Sequence, residues 1–260
     1  MFKSYFENGE INNELANLLV KHRNNYSYPN VRLIFSEEPT DFRISSDLWA
    51  VPDETLATQP TDLNLDLYHH ELLVSSDPNK NLLGTASIVF WGFYTFKVNY
   101  AFNKLKWHLY GNKTKPASIP EFVSQQIVKA KDESNPGIAL SYLSEISQLG
   151  SIPFASKIIA FLKPNSTGIY DNQIHKGLMS ADWYKQSGLD TRIGTVKNSL
   201  VQKGYVGWCD LLVQLAEDMN RGITNGKPWE WKDFGGSYSQ WRALDVERSL
   251  FNYFKNIQSK

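Results

Sequence analysis

A single cysteine, Cys209, in 260 residues leaves nothing to build an internal disulfide, a thiolate zinc site or an iron–sulfur cluster from. No charge of one sign is in excess, since 27 basic side chains face 27 acidic ones. Long apolar runs are also missing. The most apolar stretch, Leu82 to Phe96, is interrupted by Gly84, Thr85, Ser87 and Gly92 and is too short to span a bilayer. GxGxxG, GxxxxGK and GxSxG do not occur, which disfavours nucleotide binding on a glycine-rich loop and serine hydrolysis. The opening MFKSYFENGEINNE is polar and acidic, unlike a secretory leader. These absences lead to the expectation of a soluble, cytoplasmic protein with no membrane partner.

The chain is long enough to bury a sizeable core, as one large domain or two intimate ones. It is rich in rings, with 8 Trp, 13 Tyr and 14 Phe, which either fill core or offer stacking surfaces to nucleobases. The neutral total hides a segregation of charge. The first eighty residues carry thirteen acidic side chains, from Glu7 to Asp77. From Lys97 to Lys131 the sign reverses, with seven lysines against Glu121 alone. Such asymmetry can give a neutral molecule one basic face.

Apolar spacing predicts a mainly α fold, with an acidic N-terminal region over 1–80 and a helical core over 81–260. In the first region a helix is expected near Asn13–Arg23, then irregular segments punctuated by Pro29, Pro39, Pro52 and Pro60, then helix or short strand over 65–74. A long helical run follows to Gly111, with strand left open for Ser87–Phe96. Pro120 starts a helix through Lys131, and Pro136 or Gly137 starts another that ends at Gly150, a natural C-terminal glycine. Ile174–Tyr184, Thr191–Lys203, Tyr205–Asn220 and Trp241–Ile257 complete the set.

Chemistry is concentrated in QLGSIPFASKIIAFLKPNSTGIYDNQI, Gln148 to Ile174. Pro153 suits the start of a helix, so with only Ser151 and Ile152 between helices the outline over 140–162 is a helix–hairpin–helix. Backbone amides at Gly150, Ser151 and Ile152 would then be available to a phosphate. In the second helix Phe154, Ala155, Ile158, Ile159, Phe161 and Leu162 share an apolar face, with Ser156 and Ala160 pointing away and Lys157 on the flank. Asp171 follows after a Pro164-containing loop, framed by Ile169 and Tyr170. Its plainest role is a cap for the helix beginning near Asn172, which would also fix a carboxylate in place.

These parts resemble the helix–hairpin–helix base-excision DNA glycosylases: a Leu149-Gly150-Ser151-Ile152 hairpin, the Ala155–Leu162 helix, Pro164, and Asp171 in an apolar frame. WRALDVERSLFNYF, Trp241 to Phe254, looks like the C-terminal helix of the bacterial 8-oxoguanine-glycosylase-like branch. The likeness is good over 140–180 and 238–254, tolerable over 80–135 and absent over 1–75. It implies removal of a damaged or modified base from double-stranded DNA, in repair or against phage DNA carrying hypermodified bases. It further implies a monomer without organic cofactor, whose hairpin carbonyls hold at most a structural ion. Asp171 would stabilise the cationic sugar that forms as the base leaves, and position water. The second hairpin glycine is absent, and Pro153 stands where bifunctional relatives carry a lysine. Lys157 lies two residues beyond Ala155, about half a turn from the expected direction, so the resemblance implies a monofunctional enzyme with Lys157 as a phosphate contact and only secondarily a nucleophile.

Glycosylases swing the target base into an aromatic-lined pocket. Trp91 and Tyr94 are candidates for its walls, with Trp241, Asp245 and His175 near the same site and Asp245 able to read a base edge. His69-His70-Glu71 lacks a third ligand in register and gives no metal site. Two readings compete with catalysis: a helix–hairpin–helix DNA-binding module without activity, and an all-α interaction protein in which Asp171 only caps a helix.

Overall fold

The computed structural model describes residues 11–53, 62–94, 98–113, 116–180, 192–222, 227–232 and 238–258. Helices dominate it. In chain order the elements are α1 (Asn13–Asn24), β1 (Arg32–Ser36), β2 (Phe42–Ser45), β3 (Leu48–Asp53), α2 (Asp62–Val74), α3 (Pro78–Tyr94), α4 (Val98–Tyr110) and α5 (Pro120–Asp132). They continue as α6 (Pro136–Leu143), α7 (Ile152–Leu162), α8 (Asn172–Ser180), α9 (Ser199–Arg221), β4 (Trp231–Lys232), β5 (Tyr238–Ser239) and α10 (Ala243–Gln258).

Two helices form the axis of the molecule. In α3 every residue from Asn81 to Phe93 is buried, and in α7 every residue from Ala155 to Leu162. A helix apolar all round belongs in the middle of a core, and α3 accordingly packs against α2, α4, α5, α7 and β1. Its buried hydroxyls are satisfied: Thr85 Oγ1 meets His108 Nε2 at 2.9 Å, and Ser87 Oγ accepts from the Leu33 amide at 2.9 Å. His69 Nε2 lies 2.9 Å from the same Ser87 hydroxyl, and His70 Nδ1 3.1 Å from the Phe161 carbonyl. Both histidines are thus tied into the scaffold. Among the described residues no group of three or more His, Cys, Asp or Glu is arranged to hold a metal ion.

The N-terminal region is more regular than its prolines suggest. β1, β3 and β2 form an antiparallel sheet in that order, with Leu33 opposite Pro52 and Ala50 opposite both Phe35 and Phe42. The region is fastened to the end of the chain by a buried ionic network. Arg23 of α1 donates to Asp245 and Asp62, Arg242 donates to Asp245 and Asp66, and Arg248 of α10 donates to Asp66.

Helix boundaries follow local chemistry. Asn12, Asn135 and Asn198 cap α1, α6 and α9 by accepting backbone N–H groups, and Gly222 ends α9 at φ 62°. The long run to Gly111 is two helices, α3 and α4, and Ser87–Tyr94 is helix rather than strand. Residues 204 to 220 and the segment before them are one helix from Ser199. Phe96, residues 181–184 and Thr191, which the helical spacing had included, lie outside the described residues. No described helix is long and apolar enough to cross a membrane.

The hairpin differs from its reading in the sequence. Helix α6 stops at Leu143, and residues 144–151 separate it from α7 as a series of turns. Ser144 donates its hydroxyl to the Ser141 carbonyl at 2.7 Å, competing with helix continuation. The left-handed residue in the connection is Gln148, φ 67°, not Gly150.

Candidate active site

Asp171 is positioned by its neighbours in sequence and in space. The loop before it is clamped to α9, where Tyr205 donates its hydroxyl to the Gly168 carbonyl at 3.0 Å and Trp208 its indole N–H to the Ile169 carbonyl at 3.1 Å. On the other side the Tyr170 amide donates to Ser156 Oγ of α7 at 3.0 Å. Gly168 is required by proximity, since a Cβ there would sit 2.3 Å from Leu212 and 2.9 Å from Glu247. The carboxylate itself caps α8. Its Oδ1 accepts from the Gln173 amide at 2.9 Å and the Ile174 amide at 3.1 Å. Its other oxygen, Oδ2, lies 3.8 Å from the ammonium of Lys157.

Lys157, read in the sequence as a flanking residue about half a turn from the direction expected of the family lysine, meets Asp171 through that second contact. Lys157 is buried within α7, as are Ser156 and Ala160, which the apolar spacing had placed outward. Its Nζ donates to the Pro153 carbonyl at 3.0 Å, one turn back. The stem has room because α3 has a glycine opposite it: a Cβ on Gly92 would lie 3.1 Å from Lys157 Cδ and 3.2 Å from Cε.

Both groups line a cavity of about 750 Å³. Its walls are aromatic: Tyr26 and Tyr28 ahead of β1, Trp91 and Phe93 of α3, Phe154 of α7 and Phe251 of α10. Tyr28 and Trp91 have ring centroids 4.7 Å apart, and Phe93 stacks on Phe154 at 4.3 Å. Two buried polar atoms on residues of this lining, Trp91 Nε1 and Glu247 Oε2, have no hydrogen-bond partner among the described residues. Buried polar groups are nearly always paired, so two unpaired ones on residues beside a cavity are unusual. Burial and the neighbouring Asp171 carboxylate push the Glu247 carboxyl well above the usual range, against the opposing pull of Arg248, Lys157 and Arg23. The raised pKa favours the protonated carboxyl, which can donate as well as accept.

The remaining candidates divide. Ser151 lines the cavity, whereas Ile152 is buried and its amide is already donated to the Gly194 carbonyl at 3.1 Å, so it is not an open phosphate donor. Gly150 accepts from the Val196 amide at 3.2 Å, and Ser151 forms a bridge with Thr195, which stitches this turn to the segment before α9. Tyr94 packs on Phe90, one turn back along α3, and is not among the lining residues of the cavity. Trp241 is core, donating its indole N–H to the Trp229 carbonyl at 2.5 Å. Asp245 is neither base reader nor surface acid. Burial alone raises its carboxyl, but Arg242 and Arg23 outweigh it and hold it at about 2. His175 pairs with the Tyr170 hydroxyl at 2.9 Å and does not line the cavity.

Six wall residues named above were missed as such in the sequence: Tyr26, Tyr28, Phe251 and Glu247, and also Phe93 and Phe154, which were read as core. The first two fall where the family resemblance is absent, and the only signal for Phe251 and Glu247 was their place on the closing helix. No protein-family model, curated protein or solved structure matches the chain.

Proposed function

We propose that the chain is a DNA glycosylase, cutting the bond between a modified base and its sugar with the base held in the aromatic cavity. The observation that carries this reading is the pairing of Lys157 and Asp171 inside a cavity walled by rings. A flat heterocycle needs ring faces to stack on, and its departure needs a carboxylate beside the sugar. Trp91 and Glu247 bring an indole N–H and a carboxyl to the lining, the polar groups we assign to the edge of the base.

Lys157 lines the cavity beside Asp171, which places an amine where a nucleophile is needed. The Lys157 ammonium passes a proton to the departing base, which takes the electron pair of the broken C1′–N bond. The amine so formed makes the new Nζ–C1′ bond, while Asp171 stays ionised against the sugar as positive charge develops. A hydrolytic variant is favoured by one contact: an ammonium held by both Asp171 and the Pro153 carbonyl can remain charged and leave attack to water.

The test is a panel of duplexes with defined modified bases, and of phage DNAs, assayed for abasic sites. Borohydride is added in parallel. Base release with a trapped covalent complex that Lys157→Gln abolishes supports the amine. Base release without trapping supports water. DNA binding with no base release across the panel would leave only a non-catalytic DNA-binding module.

A further inference from the structure

A line of rings and cations runs out of the cavity onto the surface of α4. Phe154 and Phe93, both in the cavity wall, stack at 4.3 Å, and Phe93 meets Tyr100 edge to face at 5.2 Å. The Lys104 ammonium then lies 5.5 Å from the Phe93 ring, 5.3 Å from Tyr100 and 4.4 Å from Trp107. Tyr100, Lys104 and Trp107 are spaced i, i+4, i+7, so they form one stripe about 10 Å long on the helix. Tyr100 is 43% exposed and Trp107 41%. Among the described residues Lys104 makes no ion pair; rings hold its charge instead of a carboxylate. Helix α4 contains no acidic residue at all.

We infer that this face binds unpaired nucleotides of the DNA strand adjoining the one held in the cavity, with bases stacked on Tyr100 and Trp107 and a phosphate on Lys104. Each part of the argument concerns a different group. An exposed ring presents its face, and a base offers a face only where it is unpaired and unstacked. An ammonium seated among three rings would be stripped of water by an apolar partner helix and left without a counter-charge, whereas a phosphodiester supplies one. The stretch from Lys97 to Lys131 carries seven lysines against Glu121 alone. Lys106 of α4 is paired with Asp41 at 2.9 Å, yet the charge balance of this stretch favours a polyanion. Continuity with the cavity through Phe93 and Phe154 sets the place of the strand. The inference rests on the glycosylase reading for the choice of DNA, yet its test needs no turnover.

The experiment measures anisotropy of labelled, unmodified oligothymidylate and of a matched duplex against the full chain, Tyr100→Ala, Trp107→Ala and Lys104→Gln. Both rings are exposed, so the variants should keep the wild-type melting temperature. The expected result is a loss of single-strand affinity of about fivefold to hundredfold per ring, with duplex affinity changed less than twofold. Lys104→Gln should also flatten the salt dependence by about one phosphate contact. The inference is overturned if both ring variants bind oligothymidylate as the wild type does. It is equally overturned if Trp107→Ala alters sedimentation mass without altering oligonucleotide binding, which would make the face a contact between copies of the chain. Ring-dependent binding with no base release from any modified DNA would uphold this surface and refute the glycosylase reading instead.

Discussion

Replacing Asp171 separates its two duties, because each oxygen of the carboxylate has its own. Oδ1 accepts two amides at the start of α8, and Oδ2 faces Lys157 across 3.8 Å. Asn keeps an acceptor oxygen and caps a helix about as well as Asp, so Asp171→Asn should leave stability nearly unchanged. Asp171→Ala loses the cap, at a cost of about 0.5–2 kcal/mol. In a domain of this size each kcal/mol lowers the melting temperature by roughly 2–4 °C. The chemistry should not distinguish the two variants. Both remove the carboxylate that the proposed reaction sets against a cationic sugar, and loss of one preorganised group of this kind costs about 10²–10³ in rate. DNA affinity should be equal or higher, since a charge that repels phosphate has gone. Thermal melts together with single-turnover base release on a cleavable duplex read both effects at once. The reasoning is refuted if Asp171→Asn keeps its rate within about tenfold, roughly 1.4 kcal/mol of barrier. It is refuted as well if the Asn variant melts as low as the Ala variant.

Gly92→Ala should melt no lower than the parent, because alanine improves a helix interior by up to about 1 kcal/mol. Its new methyl must nevertheless displace the Lys157 stem, so base release and borohydride trapping should both fall; unchanged rates would show that the amine's position is immaterial. Glu247→Gln probes a carboxyl that is protonated in the fold and ionised when unfolded, so the wild type should lose stability as pH rises above the unfolded pKa toward the raised folded one. The variant lacks that loss, and urea midpoints at pH 5 and pH 8 should therefore diverge; parallel shifts would mean that Glu247 is ionised in the cavity. Asp245→Ala strips a buried partner from Arg23 and Arg242, which keep Asp62 and Asp66, and should cost about 3 kcal/mol. Turnover per folded molecule should be untouched, and a selective change among modified bases would restore Asp245 to the site.

What could be seen in the sequence, and what could not, follows from which interactions are local. Pro153 opening α7, the loop through Pro164 and Asp171 at the head of α8 are set by neighbours a few residues away, and each is where spacing puts it. The sheet is a different case. Its strands are four to six residues long, and Pro52 sits inside β3 as a register partner of Leu33, so no alternation runs far enough to stand out from turn residues. The hairpin misled because Gly150 looks like a helix stop, yet the helix had already ended at Leu143 and Gln148 takes the left-handed backbone. For Lys157 the sequence offered only a direction. Half a turn from a reference alanine means little on a helix enclosed on all sides, where the side chain goes to the place a neighbour leaves open; here Gly92 leaves it. The closing helix makes the same point from the opposite side. Asp245 and Glu247 are two residues apart and therefore about 200° apart around α10. One faces three arginines and is held ionised; the other lies near Asp171 and has its pKa pushed up. Both are acids in one short sequence, and only the elements packed across from them decide which belongs to the scaffold and which to the cavity.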